Sequence, residues 1–496
     1  MGPEDRQLHV FLFPFMAHGH MIPFMDMARQ FALRGVKVTI VTTPLNAILL
    51  SKTVDRDREL GIEIDIHSIP FPTKEAGLPE GCENVNSITT PELSSNFFKA
   101  LNMLQQPFQK LLEEHHPDCI VADMFFPWTT DFAGKLGIPR LVFHGSCFFS
   151  SCVPDSISRY APHNNVSSET ETFVVPGLPD PIEMTKSQLP DHMKIQNDFT
   201  RAMEQIKEAE VKSYGVVMNS FYELEPAYAE HYRKVMGRRA WHIGPLSLYN
   251  REKIGKAAQS RRGNTASIDE NECLTWLDSK EPDSVLYVCF GSGPSFSTDQ
   301  LVEIAMGLEA SGHAFIWVVR KDETSAGSVA EVEPWLPQGF EDRVGSKGLI
   351  IRGWAPQVLI LQHHAIGGFV THCGWNSLLE SVCVGVPLIT WPVTAEQFYN
   401  EKLVTQVLRI GVPVGVQHWN SWLGKREHLV KREEIKKAVT RLMDGGDEAA
   451  QMKGRVKELK EMAKRAIDQN GSSDTDFTSL INELKLHRDM GDKFDL

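Results

Sequence analysis

The sequence predicts an α/β protein of two domains, each built on a parallel sheet. Three observations carry this. Short apolar runs alternate with longer helical stretches, the order expected when parallel strands are joined by crossover helices. The rhythm stops at a polar stretch, Ser247 to Ala266, and then restarts. The chain has 496 residues, too many for one ordinary domain and suited to two.

In the first half, Leu8 to Phe15 reads as a buried strand and Pro23 to Leu33 as a helix with proline in its first turn, where the missing N–H costs little. Val36 to Thr42 is β-branched and reads as the next strand. Cys119 to Ala122, Arg140 to His144 and Gly215 to Asn219 continue the series. The stretch Ser247 to Ala266 lacks apolar period and carries Arg261-Arg262-Gly263-Asn264, which marks a linker. Beyond it, Val285 to Phe290, Ala314 to Val319, Ile366 to Val370 and Pro387 to Trp391 read as strands. Ser297-Thr298-Asp299 caps a helix running to about Ser311, and Ser472 to Lys485 reads as a capped final helix.

Composition excludes several function classes. The formal net charge is −13, with no basic arm or stripe, which disfavours binding to nucleic acid or anionic membranes. No run is long and apolar enough to span a membrane, and Pro14, His18 and His20 interrupt the N-terminal apolar run too early for a signal-peptide core. The eight cysteines form no CxxC pair, and several sit in apolar runs, which points to buried free thiols and a cytoplasmic location.

Ligands of open α/β sheets bind beyond the carboxyl ends of the strands. The polar residues at those ends are therefore the candidates. In the first half they are His18-Gly19-His20 and Asp123. A neutral His20 at the start of a helix can take a proton from a bound hydroxyl, and Asp123 can fix its tautomer and stabilise the imidazolium. Taken alone, each has an ordinary reading: a satisfied turn histidine and a helix-capping aspartate. They act together only if their strands are neighbours.

In the second half, Thr371-His372-Cys373-Gly374-Trp375-Asn376-Ser377 joins a strand to a helix. Gly374 permits close backbone approach, and the free N–H groups at a helix start suit a diphosphate. His372, Asn376, Ser377 and, after another strand, Ser292 add side-chain donors. Glu380 lies one turn beyond Ser377 and can accept from a ribose hydroxyl pair. Trp354, before Ala355-Pro356-Gln357, offers a plane for a nucleobase. Glu396 and Gln397 offer a carboxylate and an amide to sugar hydroxyls. Neither a GxGxxG nor a Walker A sequence is present.

The stretch Trp354 to Gln397 resembles the signature box of plant secondary-product UDP-glycosyltransferases (glycosyltransferase family 1): it begins WAPQ, continues HCGWNS and LLE, and closes WPVTAEQ. FPFMAHGHMIP near the start and NSFYELEP at 219–226 resemble the subgroup that glucosylates flavonoids, steroids and triterpenoids. The resemblance implies two facing Rossmann-like domains of GT-B type with a cleft between them. Residues 1–246 would bind the acceptor, 247–266 would link, 267–470 would bind the UDP-sugar, and a helix in 471–496 would pack back on the first domain. It implies His20 as base and Asp123 as its partner. Trp354 would stack on uracil, Ala355 backbone groups would hold its edge with Gln357 nearby, and Glu380 would take the ribose. Ser292, His372, Asn376 and Ser377 would take the diphosphate, and Trp375, Glu396 and Gln397 the sugar. Gln397 favours glucose.

The expected reaction is a metal-free, inverting transfer of glucose from UDP-glucose to a hydroxyl of a small apolar metabolite. Phe15, Phe125, Phe126, Phe148 and Phe149 are candidates for an apolar acceptor wall, with core packing as the alternative for most. Asp55-Arg56-Asp57 and Asp474-Thr475-Asp476 match the Asp-x-Asp of metal-dependent transferases, but both sit in charged helical stretches and read as chance. A monomer is the expected state. The alternatives are another UDP-sugar (galactose or glucuronate), or a UDP-sugar epimerase of the same fold. Gly145-Ser146-Cys147 and Gly291-Ser292-Gly293 do not form the GxSxG of a serine hydrolase.

Overall fold

The strands β1 (His9–Phe13) and β2 (Lys37–Thr42) lie parallel, joined by the helix α1 (His18–Leu33). The computed structural model describes residues 6–249, 266–293, 296–320, 335–421, 424 and 428–491. Around β1 and β2 a seven-stranded parallel sheet assembles from β3 (Asp65–Ser68), β4 (Cys119–Asp123), β5 (Arg140–Phe143), β8 (Gly215–Met218) and β9 (Ala240–His242), in the order β3-β2-β1-β4-β5-β8-β9. Every residue of β4, β5 and β8 is buried, as a parallel sheet covered on both faces requires. Two strands between β5 and β8, β6 (Thr172–Val175) and β7 (Ile182–Thr185), form a separate antiparallel pair.

A second parallel sheet has six strands: β10 (Val285–Cys289), β11 (Ala314–Val319), β12 (Gly348–Arg352), β13 (Ile366–Thr371), β14 (Leu388–Thr390) and β15 (Gly411–Pro413), in the order β12-β11-β10-β13-β14-β15. Leu286, Val288, Trp317, Val370 and Ile389 are inward residues of its core. The chain's contacts divide it into two units. One comprises Met1–Phe148, Ile195–Lys253 and Arg465–Leu496, and the other Phe149–Lys194 and Ile254–Lys464. Each is a Rossmann-like domain, in keeping with the α/β class expected. Of the expected linker, residues 250–265 lie outside the described residues.

Five further helices position the residues discussed below: α2 (Pro91–Met103) and α3 (Asp198–Lys212) in the first unit, and α4 (Gln357–Gln362), α5 (Trp375–Val384) and α6 (Gln397–Lys402) in the second. The last helix, α7 (Ser472–Gly491), belongs to the first unit and packs on β9. Its Phe477 ring meets Phe31 at 4.8 Å, Asp474 pairs with Arg34 at 2.8 Å, and Asp476 accepts from the His242 backbone N–H at 2.9 Å. No described helix is long and apolar enough to cross a membrane. All eight cysteines are free, and all but Cys289 are buried.

One element differs from its sequence reading in a way that matters. Helix α1 starts at His18, so Pro23 sits inside it and not in its first turn. A proline there loses one helical hydrogen bond. The earlier start places His20 third in the helix.

Candidate active site

The strand order of the first sheet reverses between β1 and β4, whose chain connections run to opposite sides. At such a point the segments leaving two adjacent carboxyl ends diverge and leave a crevice. Both candidate residues sit there. β1 pairs with β4 in register Phe13↔Ala122, which puts the loop entering α1 beside Asp123. His20 Nδ1 lies 2.6 Å from Asp123 Oδ2. An ionised carboxylate can only accept, so Nδ1 carries the proton, and in the neutral form of the ring Nε2 is then the nitrogen with the lone pair. The second carboxylate oxygen accepts the Phe125 N–H at 3.2 Å. Asp123 is fully buried, and the His20 side chain is 22% exposed. A buried carboxylate orienting a part-exposed imidazole is the arrangement of a general base.

Aromatic rings flank His20. Phe15 meets it edge-on at 5.3 Å, and Phe125 lies at 5.9 Å. Phe98 of α2, not singled out from the sequence, completes the group at 6.1 Å from Phe125. Gly145 lies on another side: a Cβ there would be 3.4 Å from His20 Cε1. The other candidate phenylalanines do other work. Phe126 is fully buried and stacks on Phe13 at 4.1 Å, in a core group with Phe108 and Trp128. Phe148 packs on Tyr232 and His242, at 5.2 and 4.8 Å. Phe149 is fully buried and belongs to the second unit. Of the five candidates, Phe15 and Phe125 place their rings beside His20. Phe126 is corrected to a core residue because it alternates away from Phe125 on the turn after β4.

The second sheet reverses between β10 and β13. β10 ends before Gly291-Ser292, with Ser292 half-buried, and β13 ends at Thr371 before the turn into α5. Cys373 takes a positive φ of 66°, a strained value for a residue with a Cβ. Gly374 is the N-cap of α5, with no side-chain cap and no acidic residue in the first turn. Trp375, Asn376 and Ser377 are the first three helical residues. A helix start of this kind, with N–H groups and the positive end of the dipole pointing the same way, suits an anion. The His372 ring is wedged between two glycines: a Cβ on Gly374 would fall 2.3 Å from Nε2, and one on Gly291 2.6 Å from Cε1. Its Nδ1 has no hydrogen-bond partner among the described residues. Burial lowers its pKa to about 4, so the ring is neutral near pH 7.

Gln357, first residue of α4, ties the box together. Its Nε2 donates to Glu380 Oε2 at 2.8 Å and to Ser377 Oγ at 3.1 Å. Trp354 and Ala355 lie just before it, separated by Pro356, and are half-buried and buried respectively. Gln397 is buried, and its Oε1 accepts the N–H groups of Val393 and Thr394, both at 2.9 Å. That leaves Nε2 as the end of the amide that can donate. Glu396 precedes α6 as its N-cap residue.

The family model for UDP-glucoronosyl and UDP-glucosyl transferase matches residues 264–418. A scopoletin glucosyltransferase of Nicotiana tabacum is 54% identical over 98% of this chain and 99% of its own length. The UDP-glucose flavonoid 3-O-glucosyltransferase 7 of Fragaria ananassa is also 54% identical, over 97% of this chain and 96% of its own. Among solved structures, Glycyrrhiza uralensis UGT73P12 superposes with a TM-score of 0.91 at 46% identity, covering 99% of this chain and 98% of that one. The chain belongs to the plant UDP-glycosyltransferases.

Two contacts in this UDP-glycosyltransferase were not foreseen. Ser267, the first residue after the expected linker, accepts the Trp354 N–H on its Oγ at 2.9 Å and donates its own N–H to the Trp354 carbonyl at 2.7 Å. Gly353, at φ +127°, makes room, since a Cβ there would fall 2.2 Å from Ser267 Oγ. Asn400 donates to the Cys373 carbonyl at 2.9 Å and to Glu396 Oε1 at 3.2 Å, joining the closing end of the box to its central turn. Glu396 and Asn400 are four residues apart at the start of a helix, and that spacing was the available signal. The Asp-x-Asp acids hold structure: Asp57 pairs with Arg29 at 2.8 Å, and Asp476 with Arg233 at 3.1 Å.

Proposed function

We propose that the protein transfers glucose from UDP-glucose to a hydroxyl of a small apolar plant metabolite, a triterpenoid, steroid or flavonoid, with inversion to a β-glucoside. The observation that carries this reading is the His20–Asp123 pair at 2.6 Å, on the switch point of its sheet. His20 Nε2 takes the acceptor proton. The acceptor oxygen forms a bond to the anomeric carbon as the bond from that carbon to the diphosphate oxygen breaks, and UDP departs. Asp123 offsets the positive charge that gathers on the imidazole.

Charge developing on the diphosphate is met by the start of α5, by Asn376 and Ser377, by Ser292 and by neutral His372. Preorganised donors of this kind can each lower a barrier by roughly 2–4 kcal/mol, and on this reading no metal is needed. Trp354 stacks on uracil, with Ala355 and Gln357 at its edge, and Glu380 accepts from the ribose. Trp375, Glu396 and Gln397 face the sugar. Gln397 supports glucose over galactose, and so do the Nicotiana and Fragaria relatives, both named as glucosyltransferases. A second reading, an acceptor that already bears a sugar, is favoured by the Glycyrrhiza structure, which was solved with glycyrrhetinic acid 3-O-monoglucuronide.

The test is UDP release from purified protein given UDP-glucose, UDP-galactose or UDP-glucuronate. Each donor is paired with pools of flavonoid, steroid and triterpenoid alcohols and with their monoglycosides. The expected result is acceptor-dependent release fastest with UDP-glucose. Release fastest with another donor overturns the glucose assignment, and formation of an epimeric UDP-sugar without UDP release when no acceptor is given supports an epimerase instead.

A further inference from the structure

Arg140 is the first residue of β5, with Ile120 of β4 as its register partner. It is 3% exposed. No carboxylate lies within 4 Å of its guanidinium among the described residues, and its Nε has no hydrogen-bond partner among them. An unpaired buried cation is expensive, because neither water nor a counter-ion replaces its hydration. Its side-chain hydrogen bonds go to one stretch of chain, from Asp123 at the end of β4, through the turn, to Thr130 at the start of the next helix. Nη1 donates to Thr130 Oγ1 at 3.0 Å, and Nη2 donates to the Asp123 carbonyl at 3.2 Å and the Phe126 carbonyl at 3.5 Å. That turn carries the Phe125 N–H that holds Asp123 Oδ1, while Oδ2 points at His20.

Two acids feel this cation, Asp123 of β4 and Glu210 of α3. Glu210 is already served by other groups: His144 Nε2 at 2.6 Å, the Tyr232 hydroxyl at 2.7 Å and Arg238 Nε at 3.4 Å. Although burial pushes the other way, those partners hold Glu210 down at about 2. Asp123 is the other acid that interacts with this cation. Burial brings Arg140 down to about 10, so it stays charged at neutral pH.

We infer that Arg140 is a positioning residue for the His20–Asp123 pair, fixing the Asp123 turn with its fork and, with its charge, holding down the pH at which His20 becomes a free base. The inference rests on the reading of His20 as base. Its sign follows from Coulomb's law. Asp123 favours imidazolium and Arg140 opposes it, so removing the cation raises the His20 pKa and moves the acid limb of kcat/KM to higher pH.

The experiment compares wild type, Arg140→Lys and Arg140→Met as full chains, with folding checked by thermal melting. Two readouts are taken across pH 5–9. One is kcat/KM for UDP-glucose with an aliphatic steroid alcohol, whose hydroxyl does not titrate in that range. The other is the rate of diethylpyrocarbonate modification at His20, followed by peptide mass spectrometry, which reports the imidazole without requiring turnover. In Arg140→Met both midpoints should rise by about half to one unit, and in Arg140→Lys neither should move. Lysine keeps the charge but lacks the two-armed fork. Its kcat should therefore fall about tenfold, with the KM for UDP-glucose within about twofold.

A folded Arg140→Met with the wild-type modification midpoint overturns the electrostatic part. Wild-type kcat in Arg140→Lys overturns the positioning part, and decides the matter if Arg140→Met does not fold. If His20→Ala keeps its activity, the reading of His20 as base fails. The modification data still report on Arg140 in that case.

Discussion

The carboxyl ends of the two sheets solve different problems with the same topology. In the first unit, the switch point between β1 and β4 holds one proton-accepting pair, His20 and Asp123, 103 residues apart in sequence. In the second, the switch point between β10 and β13 holds a donor-rich helix start, and most of its candidate residues fall in the single stretch Trp354 to Gln397. On the proposed reading, the first end is sparse and relies on one imidazole, and the second is redundant, with many weak donors around one ligand. A single substitution should therefore be far more damaging at the first end than at the second.

The sharpest way to break the comparison is His20→Ala. Loss of a general base costs about 10²–10⁴ in rate. The fall should appear in kcat, with UDP affinity measured by calorimetry unchanged, because the nucleotide candidates all lie in the other unit. A comparable loss of UDP affinity would show that the two ends do not divide the work in this way. Next is Asp123→Asn. Asparagine can fill the same space, but its amide can present an N–H to Nδ1 and favour the wrong tautomer. We expect kcat to fall about 100-fold or more while the melting temperature changes little. A near-wild-type kcat would reduce Asp123 to packing.

On the donor side, Gly374→Ala is expected to have the largest effect. The backbone at Gly374 (φ −63°, ψ 137°) accepts alanine, so strain is not the issue. The new methyl would sit 2.3 Å from His372 Nε2, and the ring must move. Overpacking of this kind costs about 1–3 kcal/mol, so the KM for UDP-glucose should rise about tenfold or more. The double variant His372→Ala, Gly374→Ala sharpens the point. If steric displacement of the ring is the cause, adding Gly374→Ala to His372→Ala should change little. If the backbone at 374 is the cause, the two losses should add.

The same contrast explains what could be read from the sequence. The donor box is contiguous, so the turn, helix start and trailing acid are visible as spacing. Even so, the Gln357–Glu380 contact at 2.8 Å joins residues from two helices and is not visible in the spacing. The base pair was legible as two separate strand-end residues. Its union required the β1–β4 pairing, which no local pattern encodes. Most strands were placed to within a residue or two because buried parallel strands are continuous apolar runs. Short strands such as β15 (Gly411–Pro413) and β12 (Gly348–Arg352) offer too few residues or too little contrast. The aromatic wall was the poorest reading. Phe125 and Phe126 are adjacent and alike in composition, and only the turn after β4 sends one to His20 and the other into the core.

The smallest expected effect concerns Ser267, and it tests whether the donor site is as redundant as proposed. Ser267 Oγ is the acceptor for the Trp354 N–H, and the Ser267 N–H is a donor to the Trp354 carbonyl. Ser267→Ala removes only the first of these. The lost hydrogen bond is worth about 0.5–1.5 kcal/mol, which corresponds to roughly a two- to tenfold rise in the KM for UDP-glucose. Because Trp354 is proposed to touch only the base, kcat should hold. Ser267→Thr keeps the hydroxyl and should restore the wild-type KM. A fall in kcat without a change in KM would mean that this contact organises more than the uracil subsite. No change in either would mean that the backbone bond from the Ser267 N–H and the packing of Trp354 suffice without the hydroxyl, the most redundant outcome the second unit could show.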